Sequence, residues 1–348
     1  MTSAPLDHLE TNDENLSDHD NDKSSLSSAS DSSNDCPFSA EICRKLSAAF
    51  AKATDIDIDV AVHLLKEYGW NIDQALRATY EAKEHAQSMV NTKQDWKKTG
   101  DKYFKILSWN ADASDTDEED LNDLIQHRME TMAEILLREK PDVILLQEIG
   151  TFALTLIITC LSALYDDESI QTDSLNYVSI FTRKSTMKKA KVLVINNQNN
   201  WNMLKVETEY KNSIKLDVFN AIIDENTSSF CFEQINQNNT NHPVLCGITS
   251  KNANATDNLE SGSLVDIWEV TDQQPETNYT YDPAMNSSIS SREKPRRCDR
   301  LFFRSTASTA EKFKPVHMEL EGIEHIKTSD IIFPSTHWAL QSYFDVDI

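Results

Sequence analysis

The 348-residue chain predicts an α/β protein: a two-sheet sandwich with helices on its outer faces, preceded by a small three-helix unit. Three observations carry this. From residue 103 to the end, short apolar strand-like runs alternate with helix-length segments, the pattern of mixed sheets covered by helices. Between residues 38 and about 84 the apolar residues recur at helical spacing instead. Ahead of both, residues 1–35 hold nine acidic side chains, one Lys and a Ser-rich stretch with almost nothing apolar to bury, so this segment is expected to be disordered. The expected organisation is an acidic tail over 1–35, a helical domain over 36–85, a polar linker over 86–102 and a large domain over 103–348.

Charge and cysteine usage narrow the function classes. A net charge of −24 argues against indiscriminate binding of polyanions, so any nucleic-acid contact must come from a local patch. The six cysteines are scattered, with no Cys-x-x-Cys pair and no zinc-type spacing, and read as reduced thiols of a nuclear and cytoplasmic protein. The acidic, polar N-terminus does not resemble a secretory signal. The longest apolar run, Phe152 to Leu164, has the length of a buried core segment and is too short to cross a bilayer, so no membrane partner is expected.

Taken in order, the first helix is expected to bury Ile42, Leu46, Ala49 and Phe50, the second Val60, Val62, Leu64 and Leu65, and the third Ile72, Ala75, Leu76 and Tyr80. Gly69 suits a left-handed cap ending the second helix, and Asn71 with Gln74 reads as a capping box opening the third. In the large domain, "YFKILSWN" is a strand and "IQHRMETMAEILLREK" a helix that Lys140-Pro141 must end. "PDVILLQEIG" follows, apolar almost throughout as for a strand covered on both faces. Further strands are expected at "NYVSIFTRK", "KVLVIN", "NMLKVETEY", "IKLDVFNAII", "HPVLCGI", "RLFFRST" and "HWALQSYFDVDI".

The run "AVHLLKEYGWNIDQALRATYEA", with Leu64, Trp70 and Ala75-Leu76 at the apolar positions, resembles the second and third helices of a ubiquitin-associated (UBA) domain. The resemblance implies a ubiquitin partner contacted near Leu64 and Leu76. The family's Met-Gly-Phe/Tyr loop is absent, replaced by "KATDIDID".

In the large domain, "LSWNAD", "PDVILLQE", "VDIWEV", "NYTYDPAMNS", "CDRLFFR" and "PSTHWAL" occur in the order found in the endonuclease/exonuclease/phosphatase superfamily. With the small helical domain in front, the chain resembles the 5′-tyrosyl-DNA phosphodiesterases, which cut the bond between a topoisomerase tyrosine and a DNA 5′ phosphate. The resemblance implies DNA 5′ ends carrying a tyrosyl peptide as partner and Mg²⁺ or Mn²⁺ as cofactor. Attack of water on a phosphodiester needs a cation on the phosphate oxygens, a group to orient the water, and donors for the developing charge. On that resemblance Glu148 and Asp112 are the metal ligands, Asn110 is a catalytic residue beside them, His337 donates to the phosphate, and Asp299 orients His337. Tyr281, Arg296 and Arg297 are candidates for contacting the DNA end, and Trp268 fits core packing better than stacking. The clusters Arg292–Arg297 and Arg183–Lys191 offer either a groove for a phosphate backbone or a solvated edge.

Four positions depart from the family. Ile222 of "FNAII" stands near an expected histidine, Ile248 and Ser250 of "GITS" where Gly-Asp-x-Asn is expected, and Thr336 where Ser-Asp-His-Trp has its Asp. These losses predict weak or no hydrolysis and a binding or scaffolding role. Two alternatives stand beside it: an active Mg²⁺-dependent enzyme in which Asp257 and Asn258 substitute, and a ubiquitin-binding module attached to a relic domain. The loop "ADASDTDEED" puts Asp112, Asp115, Asp117, Glu118, Glu119 and Asp120 beside the expected site, either facing it or turned away.

Overall fold

The computed structural model describes residues 39–54, 58–72, 74–77, 102–115, 119–172, 175–196, 202–238, 241–250, 262–271, 273–289, 292–329 and 332–347. The acidic tail over 1–35, and the 86–102 linker except its last residue, lie outside them. The chain divides into two compact units, Met1–Ala75 and Leu76–Ile348.

In the first unit, α1 (Ala40–Thr54) and α2 (Ile58–Glu67) precede helical residues at Ile72, Gln74 and Ala75. The buried stripe of α1 is Cys43, Ser47, Phe50 and Thr54, a rotation from the expected one, and Ile42 is exposed. Two hydroxyls can be buried there because each bonds within its own helix: Ser47 Oγ donates to the Cys43 carbonyl at 2.9 Å and Thr54 Oγ1 to that of Phe50 at 2.7 Å. Ala61, Leu65, Trp70 and Ala75 complete the core. Gly69 does end α2 in the left-handed region, at a φ of +57°, and the Trp70 amide closes the turn onto the Leu65 carbonyl at 2.6 Å. The Gln74 amide donates to Asn71 Oδ1 at 3.1 Å, half of the expected capping box. Cys43 is held in a disulfide whose other half lies outside the described residues, which corrects the reading of all six cysteines as thiols. Cys160, Cys231, Cys246 and Cys298 are free.

The second unit is two six-stranded sheets face to face. One runs β11 (Phe313–Glu321), β12 (Ala339–Val346), β1 (Phe104–Ala113), β2 (Val143–Ile149), β4 (Tyr177–Arg183), β3 (Tyr165–Gln171). The other runs β5 (Met187–Asn196), β6 (Asn202–Tyr210), β7 (Ile214–Ile223), β8 (Val244–Ser250), β10 (Asp299–Arg304), β9 (Val265–Asp266). β1 and β2 are parallel, as are β7 and β8, and the other pairs are antiparallel.

Alternation along each strand builds three apolar layers. Ile106, Leu145, Val218, Leu245 and Phe344 fill the space between the sheets. Leu107, Trp109, Ile144 and Leu146 face outward against α3 (Glu119–Glu139) and α4 (Thr151–Leu161). Phe219, Cys246, Ile248 and Phe302 face outward against α5 (Ser228–Gln237). The helix/sheet/sheet/helix order is the expected sandwich. α3 stops before Pro141, with Lys140 turning through a φ of +50°. The apolar run Phe152–Leu164 forms most of α4. Among the described residues no helix is long and apolar enough to cross a membrane.

Glycines mark where layers meet most closely. Gly322 has a φ of +78°, and a Cβ there would lie 2.3 Å from Trp109 Cζ2, a ring carbon with no freedom to retreat. Gly69 has a similar φ and open space around it. Gly69→Ala is therefore expected to cost about 1 kcal/mol of backbone strain, whereas Gly322→Ala should destabilise the large unit by at least about 2 kcal/mol. Chemical denaturation read by Trp fluorescence checks the difference.

Candidate functional site

The C-terminal ends of β1, β2 and β8 meet the N-terminal ends of β10 and β12 at one end of the sandwich, and a chain of side chains joins the sheets there. From β1, the Asn110 amide donates to Thr249 Oγ1 of β8 at 2.9 Å, and Thr249 donates to Asp299 Oδ1 of β10 at 2.5 Å. Asp299 Oδ2 takes the Nδ1 side of His337 at 2.7 Å. Asp299 is fully enclosed and also receives its own backbone position from a bond of its amide to Thr280 Oγ1. The His337 backbone is pinned in turn: its amide donates to Ser335 Oγ at 3.0 Å, Ser335 donates to the Asn110 carbonyl at 2.7 Å, and Trp109 Nε1 donates to the His337 carbonyl at 2.9 Å.

The two carboxylates enter through a break in the β1–β2 ladder. Asn110 pairs with Gln147 and Ala113 with Ile149, so Ala111 and Asp112 together oppose Glu148, a β-bulge. Asp112 and Glu148 both sit at positive φ, +44° and +50°, where non-glycine residues pay strain of about 1–2 kcal/mol. The Asp112 amide donates to Asn110 Oδ1 at 2.9 Å, and its carboxylate accepts from Thr336 Oγ1 at 2.7 Å. Arg128 of α3 holds the bulge from outside, donating to the carbonyls of Ala111 and Asp112 at 3.1 and 3.0 Å.

Charge follows geometry. Burial pushes the half-buried Glu148 carboxyl above its ordinary value, opposed by His337 and the Asn110 side chain. Burial disfavours the imidazolium of His337, but Asp299, Glu148 and Asp112 outweigh it and raise the pKa. Asp299 moves down despite its burial, because His337 and the Thr249 and Thr280 hydroxyls favour its anion. Asp299 and the neighbouring carboxyl groups therefore favour the charged form of the imidazole at this end of the sandwich.

Asn110, Asp112, Glu148, Asp299 and His337 thus converge at one end of the sandwich. Tyr281 joins them, its ring 5.1 Å from that of His337, with the Arg296 guanidinium carbon 4.2 Å from the centroid of the tyrosine ring. Arg297 is turned into the fold: it pairs with Asp266 at 2.7 Å and lies 4.5 Å over Trp268, which packs against the core. The Arg183–Lys191 cluster lies at the opposite end, since Tyr177 pairs with Ile149 while Thr182 pairs with Val143. Cross-strand partners occupy part of it, Lys191 opposite Glu207 and Lys188 opposite Glu209. Leu64 lies in α2 of the first unit, and Leu76, half-buried, is the first residue of the second. Asp257 and Asn258 lie outside the described residues, as do Asp117 and Glu118.

One residue was missed by reading letters. Ile248 packs on the outer face against α5, and Ser250 closes the strand on that same face, its amide on the Cys298 carbonyl. It is Thr249, between them, that reaches the cleft. The alternation of β8 holds the signal, because Gly247 faces the other sheet, with Leu145 and Ser108 against it. Ile222 does face inward, paired with Thr249 in register.

Among the described residues no three His, Cys, Asp or Glu side chains converge in a metal-holding group. Glu148 and Asp112 supply two carboxylates, and Mg²⁺ or Mn²⁺ is commonly held by one or two with water completing the shell, so the donor set fits a hydrated hard cation and not zinc.

Residues 44–85 match the UBA-like domain family. A 5′-tyrosyl-DNA phosphodiesterase of Caenorhabditis briggsae is 24% identical, covering 94% of this chain and 99% of its own. Human tyrosyl-DNA phosphodiesterase 2 is 24% identical over 87% of this chain and 92% of its own. Among solved structures, D. rerio TDP2 complexed with a single-strand DNA product superposes with a TM-score of 0.58 at 23% identity, covering 71% of this chain and all of that one.

The Asp299–His337 pair carries a pH signature. The lowered Asp299 contributes stability above the free carboxyl value of 3.8 that is lost as pH falls through its folded pKa. The raised His337 contributes stability below 6.5 that is lost as pH rises through its folded pKa. The pair should stabilise most between those values. An NMR titration of the His337 ring is expected to show a pKa above 6.5 that falls in Asp299→Asn.

Proposed function

The chain is a relative of the 5′-tyrosyl-DNA phosphodiesterases, and from that premise we propose that it binds phosphoester-bearing DNA 5′ ends at the cleft between Glu148 and His337 and hydrolyses them weakly or not at all. A cation held by Glu148 and Asp112 would neutralise phosphate oxygens. His337, oriented by Asp299, donates to another oxygen, and Asn110 fixes the cleft wall. Tyr281 with Arg296 over it offers a stacking surface for the terminal base. The UBA-like unit would bring ubiquitin or a ubiquitinated protein to the same chain.

The observation that carries this reading is Thr249. It stands between Asn110 and Asp299, its proton directed to Asp299. A hydroxyl so engaged neither takes a proton from water nor brings negative charge to the site. Ile222, facing the cleft from β7, offers no donor for developing charge. Each such loss costs about 10² to 10³ in rate, and grouped losses do not simply multiply. A working Mg²⁺-dependent phosphodiesterase is the second reading, favoured by the assembled Glu148, Asn110 and Asp299–His337.

The test is hydrolysis of a single-stranded oligonucleotide bearing a 5′-phosphotyrosine by the full chain with Mg²⁺ or Mn²⁺, beside Glu148→Ala and an EDTA control. The expected rate is at least about 10² below that of an active relative assayed in parallel, with 5′-phosphorylated DNA still bound. Rapid turnover that disappears in Glu148→Ala would establish the second reading instead.

A further inference from the structure

We infer that Asp115 is a positioning residue for Glu148: its carboxylate clamps the chain leaving β2 and so holds the cation-side carboxylate in its left-handed turn. The inference rests on the reading of Glu148 as a cation ligand.

The helix α4 begins immediately after Glu148 and Ile149, with Gly150 at its N-cap and no side chain of its own capping it. Its first amides need an outside acceptor. Asp115, arriving from the end of β1, supplies both oxygens: Oδ2 accepts from the Thr151 amide at 2.8 Å and Oδ1 from that of Phe152 at 3.2 Å. These bonds hold the carboxyl below its ordinary pKa although burial works against it, so the clamp is ionised at neutral pH. Just inside it, the Gly150 amide donates to the Ala113 carbonyl at 2.7 Å.

The bulge is therefore fastened at both ends. On one side lies the ordinary ladder, Asn110 opposite Gln147. On the other lie the Gly150–Ala113 bond and the Asp115 clamp. Asp112 and Glu148, both at positive φ, are trapped between. Strained backbone of this kind persists only where its surroundings over-determine it. With the outer fastening removed, Glu148 is free to relax toward ordinary extended geometry, which re-aims its side chain. A cavity of about 400 Å³ borders Asp115, Phe152 and Ile125 on one side of the clamp. Gly150 is the clamp's counterpart: a Cβ there would lie 2.4 Å from the Asp115 amide nitrogen and 2.5 Å from Oδ1.

Mn²⁺ binding to the full chain, followed by electron paramagnetic resonance, tests the inference alongside thermal melts. Wild type is expected to bind and Glu148→Ala to lose binding. Asp115→Ala should weaken Mn²⁺ binding about 10- to 100-fold, the range for groups that orient a metal ligand. Asp115→Asn, still an acceptor for a helix amide, should keep most of the affinity. Gly150→Ala, which displaces Asp115 without altering its charge, should match Asp115→Ala. Equal Mn²⁺ affinity in wild type, Asp115→Ala and Gly150→Ala, with only a lower melting temperature, would reduce Asp115 to a helix cap and overturn the inference. No Mn²⁺ binding by wild type, or none lost in Glu148→Ala, would overturn the reading of Glu148 itself, and the inference with it.

Discussion

The buried carboxylate of Asp299 is the constraint on which the large unit turns. An enclosed charge is tolerated only with partners that answer each oxygen, and the Asp299 carboxylate finds them on two different segments, Thr249 in the neighbouring strand and His337 ahead of β12, while its own amide donates to Thr280 in the loop before β10. Because Thr249 also receives Asn110, satisfying this one charge ties the two sheets together across their open end. The cleft is thus a product of the same bonds that close the sandwich. Trp109 extends the tie to the outer layer, its indole on the His337 carbonyl and its ring against Gly322.

The acidic stretch after β1 illustrates how local geometry divides a charge run into separate tasks. Asp112 stays at the cleft, met by the Thr336 hydroxyl and by Arg128 at 3.9 Å. Asp115, three residues later, turns to the start of α4. α3 opens at Glu119.

Much of the architecture was legible because burial writes a period into the sequence. "DVILLQE" is apolar on successive residues and is covered on both faces; "IKLDVFNAII" and "NMLKVETEY" are buried nearly throughout and form central strands. The elements that were missed lack that period. β3, "YDDESIQ", is an edge strand whose side chains stay largely half-exposed. β11 carries Pro315 at a register shift and sets Glu319 and Glu321 on a buried polar face, where Tyr343 and Gln341 bond Glu319. The α1 stripe was misplaced because Cys43 and Ser47 read as less apolar than Ile42, while the fold buries them. In the cleft, Asn110, Glu148, Asp299 and His337 were found through ordered motifs. Thr249 was not, since no motif names it.

That omission has a consequence for how relatives of this chain are compared. Along β8 the odd positions, Gly247 and Thr249, look across the gap between the sheets, and the even ones, Cys246 and Ile248, look toward α5. A strand's period of two means that a single-residue insertion or deletion ahead of Val244 would exchange the two sets. The chain would then present an isoleucine to Asn110 and a threonine to the helix, with its letters unchanged. Substitutions here are best traced by which face of the strand a residue occupies.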